Sequence, residues 1–155
     1  MHPLFARTKH DQDALERVQR QATLLVPAIS ALDYSNRLKE LKLPTLSYRR
    51  QRADAIQLFK ITHGIDNVAS SYTCPVCNQK ALQPSLALNT RGHPHKFQIQ
   101  HSNGPRKQHL TVRSLDNWNR LSEKTVCSKT VNAFKAGIAR DWKEKPDLYE
   151  YNFTY

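Results

Sequence analysis

With 155 residues and 39% apolar content, the chain fits one domain, or one small domain with ragged ends, around a modest core. It has no run of about 18 apolar residues to span a membrane, no signal-peptide stretch in Met1–Arg7, and an odd cysteine count (Cys74, Cys77, Cys127) that suits no secreted disulfide framework. An intracellular protein, nuclear or cytoplasmic, is therefore expected, with no membrane partner.

The net charge of +11 is concentrated in residues 35–60 and 88–113, which carry +5 each, while residues 1–34 and 61–87 sum to zero. Two separate blocks suit contact with the phosphates of RNA or DNA better than general solubility. Chromatin and anionic lipid are the other polyanions such a pattern fits. A solvated basic face is the bland alternative for either block alone.

Asp11 is expected to cap a first helix, with Asp13 and Glu16 in its opening turn, where the helix end favours carboxylates. Leu15, Val18, Ala22, Leu25 and Val26 recur at helical spacing on one face, and Pro27 stops the pattern. A second helix from about Ser35 turns Leu38 and Leu41 inward. Pro44 ends it and can open the next. That third helix has an apolar stripe of Leu46, Ala53, Ile56 and Phe59, flanked by Arg49, Arg50, Arg52 and Lys60, and Gly64 is a left-handed stop. The three should pack as a short bundle, since none buries its stripe alone.

From Asp66 to Leu88 periodicity fades into a loop. Alternation around Phe97 and Ile99, the Asn103-Gly104 turn, and Leu110 with Val112 suggest a hairpin over 95–112. A short helix through Leu115, Trp118 and Leu121 follows. Ser128 or Thr130 caps a last helix carrying Val131, Phe134, Ile138 and Trp142, which Lys145-Pro146 ends. The expected fold is mainly α with minor β. Its layout is a flexible N-terminus (1–10), a basic helical bundle (11–64), a cysteine-containing loop (65–89), a hairpin plus C-terminal helices (90–145) and a tail (146–155).

Four ordered blocks carry a resemblance. They are Leu15-Glu16-Arg17-Val18-Gln19-Arg20-Gln21-Ala22-Thr23; the segment from Tyr34 through Arg37-Leu38, Leu43-Pro44-Thr45-Leu46 and Tyr48-Arg49-Arg50 to Arg52; Thr90-Arg91-Gly92-His93; and Trp118-Asn119 with Leu121, then Val131-Asn132, Phe134-Lys135 and Trp142. Together they resemble the region after the polymerase core in jockey-like LINE (non-LTR) retrotransposon reverse transcriptases, and they span most of the chain. Ser122 stands where that family usually has proline, and Gln21 where it commonly has a basic residue. The resemblance implies a parent RNA-directed DNA polymerase with an endonuclease, acting in target-primed reverse transcription. Such a polymerase holds two metal ions on paired aspartates, and this chain has no Asp-Asp pair. The fragment is therefore expected not to be an enzyme by itself. Its partners would be nucleic acid and the upstream polymerase domain.

Candidate phosphate and base contacts are Tyr48, Arg49, Arg50 and Arg52 in the first block, and Arg91, His93, Lys96, Arg106, Lys107 and Arg113 in the second. Guanidinium groups can bridge phosphates and a tyrosine ring can stack on a base. The alternative is that the first set pairs with Glu40 and Asp54. Gly92 permits a tight turn that either meets a phosphate or only positions the hairpin. Cys74-Pro75-Val76-Cys77 has half of a zinc-site spacing, with His93, His95, His101, His109 and Cys127 as candidate partners, although the His93–His95 spacing is shorter than usual. The alternative is a pair of free loop thiols, with no cofactor. Trp118, Phe134 and Trp142 read as core rather than stacking platforms. Cys127 stands alone, and no Ser-His-Asp, Cys-His or phosphate-loop grouping has supporting context.

Overall fold

A computed structural model of the chain describes residues 8–66, 93, 95–97, 99, 107 and 109–153. In chain order the elements are α1 (Lys9–Leu24), a 3-10 turn Pro27–Ile29, α2 (Tyr34–Glu40), α3 (Leu46–Thr62), α4 (Leu110–Arg113), α5 (Leu115–Asn119), α6 (Glu123–Val126), α7 (Val131–Asp141) and a 3-10 turn Pro146–Leu148. The fold is mainly helical, as expected. Cys74, Cys77, Arg91, Arg106 and the Asn103-Gly104 turn lie outside the described residues. Where a second hairpin strand was expected at Leu110 and Val112, the backbone closes instead into the helical turn α4. Two compact units form: Met1–Arg50 with Lys143–Tyr155, and Gln51–Trp142.

In the first unit, α1 begins three residues earlier than expected. Thr8, not Asp11, is the N-cap: its hydroxyl accepts from the Asp11 amide, and the Asp11 carboxylate accepts from the Thr8 amide. This reciprocal box satisfies two of the donors a helix start leaves open. The larger correction concerns which face turns inward. Asp13, Glu16 and Thr23 are the buried residues of α1, while Leu15, Val18 and Leu25 are 38%, 67% and 83% exposed.

Each of these three buried polar residues of α1 has a partner, which is what makes its burial tolerable. Glu16 accepts from Tyr34 Oη at 2.7 Å and from the Leu46 amide at 3.0 Å. Asp13 accepts from Tyr151 Oη at 2.7 Å and pairs with Lys9 at 3.1 Å. Thr23 Oγ1 accepts from Arg37 Nε at 3.1 Å. Around this network lie Ile29, Leu38 and Tyr48. The tail, which had no structural assignment from sequence, completes the unit. The Thr45 amide and hydroxyl donate to the carbonyls of Leu148 and Asp147, and Phe153 rests 6.3 Å from the Tyr34 ring.

α3 is capped by Thr45, whose hydroxyl accepts from the Tyr48 amide, so Pro44 precedes the helix rather than opening it. Its inward stripe is Tyr48, Ala55, Leu58 and Phe59. Ala53 is exposed and Ile56 half-buried. Gly64 does stop the helix, at φ +65°.

The second unit closes on a conventional apolar core: Leu58, Phe59, Leu115, Trp118, Leu121, Val126, Phe134, Ile138 and Trp142. Phe59 stacks on Phe134 with centroids 4.2 Å apart, and Trp118 lies 5.9 Å from Phe134. Thr130 caps α7 through the Ala133 amide, and Asp141 near its far end accepts from the amide and hydroxyl of Ser122, the N-cap of α6. Close approach of α6 and α7 depends on Gly137, where an added Cβ would sit 2.6 Å and 2.7 Å from side-chain atoms of buried Thr125. Gly137→Ala should destabilise the chain by about 1–3 kcal/mol through overpacking, although alanine favours a helix by ~1 kcal/mol over glycine. Urea unfolding followed by circular dichroism measures this. A variant as stable as the parent would mean that α6 yields at no cost.

Candidate nucleic-acid interface

The seven cations of residues 35–60 divide by environment. Arg37, 4% exposed, lies inside the first unit: its guanidinium bonds Thr23 and the Leu32 carbonyl, 5.7 Å from the Tyr34 ring. Arg50 donates to the Leu46 carbonyl, and its buried Nη2 has no hydrogen-bond partner among the described residues. Lys60 pairs with Asp66 at 3.7 Å. Arg52 is half-buried, while Lys39, Lys42 and Arg49 face solvent. Tyr48, expected as a stacking platform, is 5% exposed and belongs to the core.

Lys39 and Lys42 occupy the C-terminal end of α2, where the helix dipole favours cations. Lys42 holds φ at +53°, with its amide on the Lys39 carbonyl and the Leu43 amide on the Leu38 carbonyl. This is the helix-ending turn in which glycine usually supplies the left-handed residue. A lysine there accepts backbone strain of about 1 kcal/mol and places a charged side chain where glycine would offer none.

α1 adds cations that a charge count could not reveal. Residues 1–34 sum to zero in sequence, but Asp13 and Glu16 are 3% and 0% exposed and bound to internal partners. Arg17 and Arg20 remain exposed, the latter with its guanidinium carbon 5.5 Å from the Phe153 ring. With these two acids internal and Asp13 paired with Lys9, the exposed charges among the other described residues of this segment are Arg17 and Arg20 alongside Asp11 and Asp33. No sequence signal marks this, because it depends on which face is inside. The exposed cations absent from the sequence-based candidates are accordingly Arg17, Arg20, Lys39 and Lys42.

Of the second block's described cations, Lys107 is exposed and Lys96 half-buried. Arg113 instead forks onto Asp54 within the second unit, with Nε and Nη2 at 2.7 and 2.8 Å from the two carboxylate oxygens. His93 is 2% exposed. Its Nε2 lies 3.0 Å from the Trp118 carbonyl, which can only accept, so Nε2 carries the proton. Nδ1 is buried without a partner among the described residues, and burial holds the ring's pKa below the usual histidine range. The neighbouring residues continue the same clamp. Trp118 Nε1 donates to the His95 carbonyl, and the Asn119 amide both accepts from the Phe97 N–H and donates to the Phe97 carbonyl. His93 therefore positions chain in the interior rather than meeting phosphate.

The same placement bears on zinc. A ligating His93 would have to present Nδ1, which points into the interior, and His95 is exposed. Among the described residues no group of three or more His, Cys, Asp or Glu side chains could hold a metal ion, and no helix is long and apolar enough to cross a membrane. Comparison of the chain with protein-family models, with curated proteins and with solved structures finds no match.

Proposed function

We propose that the chain is the non-catalytic C-terminal region of a LINE-type reverse transcriptase, and that it holds RNA or DNA through the exposed cations of its first unit. The parent protein would use it as an accessory to target-primed reverse transcription, inside the cell. One observation carries the binding half of this reading: Arg17, Arg20, Lys39, Lys42 and Arg49 face solvent while Asp13 and Glu16 are internal. Identity rests on the four ordered sequence blocks. Lack of catalysis rests on the missing adjacent aspartates.

The test is fluorescence anisotropy with single-stranded RNA and duplex DNA across a salt series. Affinity should fall steeply with salt, and Lys39→Gln, Lys42→Gln and Arg49→Gln together should reduce the log–log slope by about two to three units. Affinity weaker than about millimolar at low salt, or insensitive to salt, would sink the binding claim.

A second reading is favoured by Arg37, Arg50 and Arg113, which are engaged internally: the segment is structural and packs on the polymerase thumb of its parent. A folded chain that binds neither RNA nor DNA would support it. A zinc-stabilised module centred on Cys74 and Cys77 is the third reading. It would require about one zinc per purified chain.

A further inference from the structure

We propose that the C-terminal tail and the side of α1 it rests on form a binding strip for an unpaired nucleic-acid strand, with Tyr151 and Phe153 stacking on bases and Lys9, Arg17 and Arg20 meeting phosphates. This rests on the nucleic-acid reading above and adds which form of nucleic acid is taken, and by which side chains. Tyr151 and Phe153 are half-buried, so each is anchored in the first unit and still meets solvent. Tyr151 Oη donates to Asp13 at 2.7 Å and accepts from Lys9 Nζ at 3.1 Å, and Lys9 also donates to the Asn152 carbonyl at 2.8 Å. Phe153 lies 6.3 Å from the ring of buried Tyr34, whose hydroxyl is held by Glu16. Rings fixed in this way lose little freedom when a ligand arrives.

The charges beside the rings fit a polyanion. Lys9 Nζ is 4.2 Å from the centre of the Tyr151 ring, and the Arg20 guanidinium carbon is 5.5 Å from that of Phe153. Arg17 is exposed and precedes Arg20 by three residues, which makes the two neighbours on the helix surface. Neither arginine has an ion-pair partner among the described residues. The Lys9 side chain stays 46% exposed although it pairs with Asp13. Asp13 and Glu16 are internal, and Asp11, two residues from both Lys9 and Asp13, does not face them. Glu150, exposed beside Tyr151, offsets part of the positive charge.

The rings select the unpaired form. Each has a cation at its side, as each base of a strand has a phosphate, and stacking on an aromatic ring needs a base whose face is free. A duplex keeps those faces inside its own stack. The Tyr151 and Phe153 rings are 4.8 Å apart and inclined at 69°, so they cannot both lie flat on neighbouring bases that remain parallel. They suit bases already splayed from one another, as in a single strand or a loop. A lipid headgroup or an acidic peptide would meet the cations and bring no base to the rings.

Fluorescence anisotropy of the full chain with three labelled probes tests this: a thymidine strand of about twelve nucleotides, an abasic strand of the same length and charge, and a duplex. The parent should bind the thymidine strand at least about fivefold more tightly than the abasic one. Phe153→Leu keeps apolar contact with Tyr34 and should remove most of that difference, while affinity for the abasic strand and the duplex stays unchanged. Arg20→Gln should weaken thymidine and abasic strands alike and lower the log–log salt slope by about 0.7. A parent that binds thymidine and abasic strands equally would overturn the strip while leaving phosphate binding in place. So would a Phe153→Leu chain that keeps the full difference or weakens equally on all three probes, or an Arg20→Gln chain with an unchanged slope. Failure of the parent to bind any probe would overturn both the strip and the nucleic-acid reading beneath it.

Discussion

Trp118→Ala should lower the unfolding free energy by about 3–5 kcal/mol, the usual cost of emptying a large aromatic site in a packed core. The ring is 0% exposed, in contact range of Phe134, His93 and Phe97. Its indole N–H holds the His95 carbonyl, so the substitution removes a hydrogen bond together with the volume. Trp118→Phe separates these effects. It keeps most of the packing and leaves the His95 carbonyl without its donor, which should cost about 1–3 kcal/mol. Urea unfolding of both variants, read by circular dichroism, supplies the comparison. Equal losses would mean that ring volume contributes nothing beyond the hydrogen bond, and a Trp118→Phe chain as stable as the parent would mean that the hydrogen bond contributes nothing.

Glu16→Ala should cost about 2–4 kcal/mol, because the Tyr34 hydroxyl and the Leu46 amide would both be left buried without an acceptor. Glu16→Gln retains an acceptor and should lie within about 1 kcal/mol of the parent at neutral pH. The two variants distinguish the role of hydrogen bonding from that of charge.

Their pH dependence follows from burial, which raises the Glu16 pKa above its usual value of 4.5 against the opposing pull of the Tyr34 and Leu46 hydrogen bonds. A folded-state pKa above the unfolded one means that the folded chain holds the proton more firmly. This contribution to stability is complete below about pH 4.5 and is lost as pH rises through the raised folded value. Glutamine cannot titrate, so the stability of Glu16→Gln relative to the parent should increase with pH across that window. Denaturant titrations from about pH 4 to 7 would show it. A constant difference would refute the raised pKa.

Helix boundaries were legible wherever one residue's backbone chemistry decides them. Pro27 opens a turn after α1, Gly64 takes a positive φ, and Thr130 caps α7. Core aromatics with helical spacing, Trp118, Phe134 and Trp142, were legible for the same local reason. The inward face of α1 was not. Asp13, Glu16 and Thr23 repeat with nearly the same period as Leu15, Val18 and Ala22, and periodicity states that a helix has two faces without stating which is inside. The answer lies in Tyr34, Arg37 and Tyr151, none of them within α1. Leu110 and Val112 failed differently: two alternating residues fit a strand as well as one helical turn. At the candidate interface the charge blocks could be read from sequence. The commitment of Arg37, Arg113 and His93 to internal partners could not, since each partner is distant in sequence or is a backbone carbonyl.

The bonds that close the first unit also order events during synthesis. Asp13 waits for Tyr151 across 138 residues, Lys9 for Asn152 across 143, and Thr45 for Asp147 across 102. A ribosome releases the chain from its N-terminus, so α1 and α2 emerge early and remain without these partners while the rest is made. Residues 51–142 form one uninterrupted stretch and have their core partners, Phe59, Trp118 and Phe134 among them, once Trp142 is out. The middle of the chain can thus be finished while its beginning is still incomplete. For that interval Asp13 and Thr45 must rely on water for the bonds that residues 147–151 later provide.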